Sequence, residues 1–331
     1  MKKFLSVILF FFAMGLCKSQ TVMLLTKGTK TSIRGLSAVN DSVVWVSGSS
    51  GMVGKSTNGG VNWSWTTVKG FEKTEFRDIE AFDENTAIIM AIDSPAYILR
   101  TTDGGNSWNT VYENHTKGMF LDAMDFYGNK YGIVIGDPIA GKFFLAETRN
   151  GGRTWRDLPY DRLPVADSGE ACFASSGTNI RLIKKNRAVF ISGGIASHLY
   201  INGERKEMPI LQGKESTGAN SIAIKNRKVM IAVGGDFNIK DSTRGNCVIT
   251  SNGGKTWSLP DTPPHGYRSC IEYITGDRWI TCGLNGVDIS TDNGRRFRQI
   301  SKESFHVCRK AKYGSEIFFA GGGGRIGVLK Y

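Results

Sequence analysis

Seven short apolar runs punctuate the chain. They are Ser42-Val43-Val44-Trp45-Val46, Ala87-Ile88-Ile89-Met90, Tyr131-Gly132-Ile133-Val134-Ile135, Ala188-Val189-Phe190-Ile191, Val229-Met230-Ile231-Ala232-Val233, Trp279-Ile280-Thr281-Cys282 and Ile317-Phe318-Phe319-Ala320. Each is rich in β-branched or aromatic residues and runs into a turn-prone stretch, so each predicts a buried β-strand.

A polar hairpin ending in a bulky aromatic recurs between these runs. Its copies are Ser56-Thr57-Asn58-Gly59-Gly60-Val61-Asn62-Trp63, Thr101-Thr102-Asp103-Gly104-Gly105-Asn106-Ser107-Trp108, Thr148-Arg149-Asn150-Gly151-Gly152-Arg153-Thr154-Trp155, Thr250-Ser251-Asn252-Gly253-Gly254-Lys255-Thr256-Trp257 and Ser290-Thr291-Asp292-Asn293-Gly294-Arg295-Arg296-Phe297. The Asp or Asn side chain is expected to accept backbone N–H groups two residues on. The glycine supplies positive φ at the reversal, and the aromatic re-enters a strand to bury against a neighbouring unit. One copy is a turn signal; this many make a repeat.

The closing aromatics follow one another at roughly 40–50 residues, the length of a four-stranded propeller blade. The interval from Trp155 to Trp257 is about double, so a unit with a decayed hairpin lies inside it, at Leu199-Tyr200-Ile201-Asn202-Gly203-Glu204-Arg205. The last unit stops at Tyr331 without a fourth strand, while Thr21-Val22-Met23-Leu24-Leu25 belongs to no unit. Pairing the two closes the ring and removes a free sheet edge. The pattern predicts an all-β, seven-bladed propeller, with residues 20–331 as one domain.

Residues 1–19 stand apart. Lys2 and Lys3 precede an apolar run from Phe4 to Leu16, and Cys17-Lys18-Ser19 offers a cleavage site before Gln20, the layout of a signal peptide. The expectation is an exported, periplasmic or extracellular monomer; lipid anchoring through Cys17 fits less well because Leu16 is bulky. No later segment has the length of a membrane-spanning helix. Losing three leader lysines takes the formal charge from +12 to +9. That excess favours anionic partners: an acidic glycan, an acidic protein face, or a membrane-associated complex presenting lipid headgroups. Export and the scatter of basic residues exclude nucleic acid.

Cys172, Cys247, Cys270, Cys282 and Cys308 follow the leader in odd number without CxxC spacing, which predicts neither a disulfide framework nor a zinc site. Cys270 and Cys308 take places held by Leu36 and Ile79 in other repeats and read as small buried hydrophobes. Gly322-Gly323-Gly324-Arg325-Ile326-Gly327 matches a dinucleotide motif in form, but a βαβ unit cannot follow so near Tyr331, and the string reads as a turn. No metal or cofactor is predicted.

Candidate chemistry emerges when the first strands are aligned, because first strands line a propeller's channel. They read Ser32-Ile33-Arg34-Gly35-Leu36, Glu75-Phe76-Arg77-Asp78-Ile79, Met119-Phe120-Leu121-Asp122-Ala123, Gly169-Glu170-Ala171-Cys172-Phe173, Gly218-Ala219-Asn220-Ser221-Ile222, Gly266-Tyr267-Arg268-Ser269-Cys270 and Ser304-Phe305-His306-Val307-Cys308. The predicted ring holds Arg34, Arg77, Asn220, Arg268 and His306, with Asp122, Glu170 and Tyr267 one position away. Converging guanidiniums need an anion, either the chain's own Asp78, Asp122 and Glu170 or a ligand. Asp137, in Gly136-Asp137-Pro138, either reaches the same mouth or caps its turn, and the same choice holds for Asp236.

The hairpins resemble the Asp-box of BNR-repeat proteins. The chain after its leader resembles the photosystem II stability/assembly-factor-like family of exported seven-bladed propellers. The strings Arg100-Thr101-Thr102-Asp103-Gly104-Gly105-Asn106-Ser107-Trp108, Gly136-Asp137-Pro138, Gly169-Glu170-Ala171-Cys172-Phe173-Ala174 and Gly266-Tyr267-Arg268-Ser269 carry that likeness. The last three are similar to a bacterial branch often labelled oxidoreductase or glycosyl hydrolase. This resemblance implies a binding or assembly scaffold with an arginine-rich face, here using Arg34, Arg77, Arg268, Asn220 and Asp137.

Asp-boxes also occur in sialidases. That likeness implies an alternative, a carbohydrate-active enzyme for a carboxylated sugar: Arg34, Arg77 and Arg268 as a carboxylate triad, Tyr267 with Glu170 as nucleophile pair, and Asp122 as acid. Arg34 lacks the proline of the sialidase string. A uronate lyase would instead use His306 or Tyr267 as base. Fold alone does not choose between binding and chemistry.

Overall fold

The computed structural model describes residues 20–27 and 29–331; the predicted leader and Cys17 lie outside them. The apolar runs form the second strands of seven antiparallel sheets, which stand as the blades of a β-propeller. Blade 1 comprises Ile33–Ala38, Val44–Gly48, Met52–Ser56 and Ser64–Thr67, and blade 2 Phe76–Ala81, Ala87–Ala91, Ala96–Thr101 and Asn109–Asn114. Blade 3 comprises Leu121–Tyr127, Tyr131–Ile139, Lys142–Thr148 and a short Arg156–Asp157. Blade 4 is Ile180–Lys184, Arg187–Ile191, His198–Ile201 and Glu204–Glu207; blade 5 is Thr217–Ile224, Met230–Asp236 and Cys247–Thr250, with Ser258 bridging to Ile249. Blade 6 runs Cys270–Thr275, Arg278–Gly283, Gly286–Ser290 and Arg298–Ser301. Blade 7 combines Val307–Lys310, Ile317–Ala320 and Ile326–Lys330 with the N-terminal Thr21–Thr26, which pairs antiparallel from Thr21 opposite Lys330. Closure therefore follows the predicted route.

The hairpins hold their shape by a different acceptor pattern from the one expected. The Asp or Asn side chain accepts the N–H four residues on, as Asp103 does from Ser107 at 3.0 Å and Asn252 from Thr256 at 2.9 Å. The leading hydroxyl also accepts four residues on: Thr101 from the buried Gly105 N–H at 3.0 Å, Ser290 from Gly294 at 2.9 Å. Two successive residues with positive φ make this reach feasible, Gly104 at 78° and Gly105 at 88°.

Each closing aromatic then seals the seam with the preceding blade. Trp108 meets Trp45 of blade 1 edge-on, with ring centroids 6.4 Å apart. Trp155, Trp257, Phe297 and Trp63 join the apolar clusters of the seams before their own blades. Blade 4 lacks this device. Its outer strands are joined by Asn202-Gly203 alone, a two-residue turn with φ of 58° and 79°, and no aromatic follows.

All five cysteines described are buried and free. Gly322–Gly324 forms a short turn between the second and third strands of blade 7 and opens no helix that could cradle a dinucleotide.

Candidate binding site at the channel mouth

A repeated β-bulge builds the mouth. In blades 1, 2, 3 and 5 the pairing of first and second strands skips one residue, and the skipped residues are Arg34, Arg77, Asp122 and Asn220. An extra residue in a ladder is left unpaired and re-aimed. Asp122 therefore belongs to the ring itself, where the alignment of strand starts had put Leu121.

Arg34 is half-buried, and its one side-chain hydrogen bond runs from Nη1 to the Ser175 carbonyl at 3.4 Å. No carboxylate pairs with it among the described residues. Burial, and then the charge of Arg77, pull its pKa below the ordinary arginine value. Arg77 is paired with Glu75, Nε to Oε2 at 2.7 Å, with 26% of its side chain exposed. The anion it uses is thus neither Asp78 nor Asp122.

Asp122 is fully buried. Neither carboxyl oxygen completes a hydrogen bond among the described residues, although the Ala174 amide pulls slightly towards the ionised form. Burial, and then the charge of Asp137, hold it well above the ordinary carboxylate range. Asp137 accepts the Cys172 N–H at 2.9 Å and is pushed up to about 6 by burial. His306 donates Nδ1–H to the Ile33 carbonyl at 3.0 Å, and burial, then the charge of Arg34, push it down to about 4. Its ring is neutral at pH 7. Asp236 caps its own turn by accepting the Asn238 N–H at 2.9 Å.

Two predicted members lie elsewhere. Arg268 is completely buried in the wall: Nε donates to Asp288 at 2.7 Å, Nη2 to the same carboxylate, and Nη1 to Asn285 at 2.5 Å. His265 completes that group, Nδ1 to Asp288 at 2.7 Å. In blade 6 it is Tyr267 that turns to the ring, donating its hydroxyl to Asn220 at 2.8 Å. Glu170 is not on a first strand. Glu170–Ala171 pairs with Gly193–Gly194 as an appendage to blade 5, and blade 4 begins only at Ile180. The Glu170 carboxylate takes hydrogen bonds from Ser192, from Tyr200 at 3.0 Å and from His198 Nδ1 at 3.0 Å. A Tyr267–Glu170 nucleophile pair is therefore not assembled. Asp167, Glu170 and His198 bring ligand atoms within 4.8 Å of one another, but their contacts are spent on each other and on Arg205.

The delay before blade 4 has a purpose that strand patterns concealed. Buried residues 174–178 cross the channel. Ser176 donates to the Ser269 carbonyl of the blade 6 wall at 2.8 Å, Thr178 to Ser221 of blade 5 at 2.6 Å, and Arg309 of blade 7 to the Gly177 carbonyl at 2.9 Å. The channel is thus spanned, and the mouth is a basin with a protein floor.

Beyond the plug lies a second ring. Ser37, Glu80, Asp125, Arg181, Ala223, Glu272 and Arg309 occupy one register position, opposite Trp45, Ile88, Ile133, Val189, Ile231, Ile280 and Phe318. Six of them, all but Ala223, border a cavity of about 340 Å³. Its charges are largely self-compensating: Arg181 stands 3.7 Å from Glu272, and Asp125 accepts the Leu182 N–H at 2.5 Å. Counting back from the second strands would have revealed it in the sequence.

No protein-family profile matches the chain, and no protein of curated function matches its sequence. Solved structures do match in fold. YCF48 bound to D1 peptide aligns with a TM-score of 0.65 at 15% identity, over 94% of this chain and 95% of that one. YCF48 from Cyanidioschyzon merolae aligns at 0.64 and 15%, over 93% and 98%. The WD40 domain of Neurospora crassa Pan2 aligns at 0.61 and 10%, over 91% and 89%. At such identities the likeness shows the propeller fold.

Proposed function

We propose that the protein is an exported Asp-box propeller of the photosystem II assembly-factor-like kind, serving as a binding scaffold that receives an anionic segment of a partner protein at the channel mouth. The observation that carries this reading is Arg34, a half-buried guanidinium beside a second arginine and without a carboxylate of its own. Such a group gains most from an incoming carboxylate, which can take two parallel hydrogen bonds from it. A similar fold is known bound to a D1 peptide, which supports a polypeptide partner. The fixed floor made by residues 174–178 favours surface recognition over passage through the channel.

The test is a thermal-shift and calorimetric titration of the mature chain with poly-glutamate, which has no aromatic residues, and separately with oligogalacturonate. Saturable poly-glutamate binding that falls at least tenfold in Arg34→Ala supports the scaffold. Binding unchanged in Arg34→Ala overturns it, as does no binding at all.

One observation favours a second reading. Asp122 and Asp137 are neighbouring carboxyls that burial raises above the ordinary carboxylate range, Asp137 to about 6, a shift in the direction a general acid needs. On that reading the mouth takes a carboxylated sugar, Arg34 and Arg77 hold its carboxylate, and Asp122 or Asp137 protonates the leaving oxygen. Turnover of oligogalacturonate or an aryl glucuronide that is lost in Asp122→Asn would establish it; no turnover across pH 4 to 8 would dismiss it.

A further inference from the structure

We propose that the protein docks on an anionic lipid bilayer through the face opposite the channel mouth, using the turns of blades 3, 4 and 5. In each blade the turn joining the first two strands and the hairpin joining the last two lie at the same end. Blade 3 pairs Tyr127 with Tyr131 and Gly132 with Thr148 there, and blade 5 pairs Ile224 with Met230 and Met230 with Thr250. The bulges that form the mouth lie at the far ends of those strands, beside Gly136 and Gly234.

Basic residues scattered along the sequence are gathered on this face. Blade 3 presents Lys130 in its turn and Arg153 in its hairpin, and blade 4 presents Lys184 and Lys185. Blade 5 adds Arg227 and Lys228, with Lys255 from its hairpin. All are exposed, and none pairs with a carboxylate among the described residues. The hairpins rest on the turns: Gly151 donates its N–H to the Lys130 carbonyl and Gly253 to the Lys228 carbonyl, both at 2.9 Å. The cations of each blade therefore stand together.

The charge is polarised across the face. These turns and hairpins of blades 3 to 5 contain no acid, whereas the corresponding turns of blades 1, 2 and 6 carry Asp41, Asp83, Glu84 and Asp277. Acids that reach the basic half are already taken: Glu147 by Arg149 at 2.7 Å, Asp277 by Lys225 at 2.8 Å and Glu204 by Lys206 at 3.7 Å. Glu80, Asp125 and Glu272 of the second ring lie in the central cavity with Lys312, Arg181 and Arg309.

The free cations stand on the tips of turns in separate blades, and no single cleft holds them all. A plane of phosphates meets them together; a linear chain does not. Each lysine or arginine near an anionic surface adds to the attraction, which fades within a Debye length. Tyr127, 50% exposed in the blade 3 turn, adds an amphipathic ring of the kind that settles at headgroup level. The mouth then faces away from the bilayer, so the docking face stands whether or not Arg34 binds an anion.

The experiment is co-sedimentation of residues 20–331 with vesicles of phosphatidylglycerol and phosphatidylcholine in equal parts, and with vesicles of phosphatidylcholine alone. Expected is binding to the mixed vesicles only, weakened about tenfold when salt rises from about 0.1 M to about 0.5 M. Lys184→Glu with Lys185→Glu, and separately Arg227→Glu with Lys228→Glu, should each weaken it about tenfold. Lys69→Glu with Lys73→Glu is the control. It changes the charge equally at exposed positions in the connection from blade 1 to blade 2, at the mouth end. That control and Arg34→Ala should each alter binding less than about twofold. Equal binding to phosphatidylcholine alone, equal loss in the control, or no sedimentation with either vesicle overturns the proposal. So does dextran sulfate held through these turns by a chain that ignores the mixed vesicles.

Discussion

Gly177 lies against the carboxyl group of Asp78, so close that a β-carbon on residue 177 would collide with it. Asp78 accepts the Ile79 N–H at 2.9 Å and the Met124 N–H at 2.8 Å, joining blades 2 and 3. Gly177 meanwhile accepts from Arg309 of blade 7. The plug is thereby locked into the ring of first strands at the point where three blades meet.

Gly177→Ala is the direct probe of that lock. Residue 177 has φ of 61°, which an L side chain tolerates poorly, and the carboxyl cannot retreat without losing the two hydrogen bonds it accepts from backbone N–H groups. The expected loss is about 3 kcal/mol. Urea unfolding of residues 20–331 checks it; a loss under about 1 kcal/mol would mean the plug adapts freely.

Stability should fall as pH rises from about 4 to about 7. Burial raises Asp137 to about 6 and Asp78 to about 7, and it raises Asp122 as well. Between the unfolded carboxylate value and these raised values the folded chain holds protons that the unfolded chain has released. Unfolding then releases protons and becomes easier as pH increases. His306 acts the other way: lowered to about 4, it binds a proton on unfolding below about 6.5 and favours the fold as pH rises. Asp122→Asn removes one of the carboxyls that burial raises, so its urea midpoint should decline less steeply with pH than that of the parent. An equal or steeper decline would refute the assignment.

The blades were legible because their signals are local. Apolar runs and Asp-box hairpins each fold within a few residues, and their spacing numbered every blade, including blades 4 and 7, which carry no closing aromatic. The ring was legible only in part. A bulge inserts one residue without changing the pattern around it, so Asp122 was displaced by one position. Glu170 was placed on a channel strand because nothing in its composition distinguishes a lead-in segment from a first strand. The role of Gly177 depends on a carboxyl distant in sequence and leaves no local trace at all.

Thr101→Ala tests the hairpin mechanism. It leaves the buried Gly105 N–H without an acceptor while removing little apolar surface, for an expected loss of about 1–2 kcal/mol. Thr101→Ser keeps the oxygen and should cost well under 1 kcal/mol. Thermal melts of the two variants separate them; equal losses would assign the effect to the methyl group instead.

Arg34 and Arg268 look equivalent in sequence and should behave oppositely. Arg268→Ala strands the Asp288 carboxylate in a dry wall with only His265 and backbone to meet it, and removing one partner of a buried pair costs about 3–5 kcal/mol. Arg34→Ala removes a guanidinium that has no carboxylate and that Arg77 repels, so stability should change by less than about 0.5 kcal/mol or rise slightly. The ligand should respond in reverse. Arg34→Ala is expected to abolish poly-glutamate binding in a fully folded chain, whereas Arg268→Lys, where folded, should bind as the parent does. Unfolding curves and titrations on the same four proteins (parent, Arg34→Ala, Arg268→Ala and Arg268→Lys) decide the matter. If Arg34→Ala destabilises the chain as much as Arg268→Ala, both arginines are structural and the mouth is not a binding site.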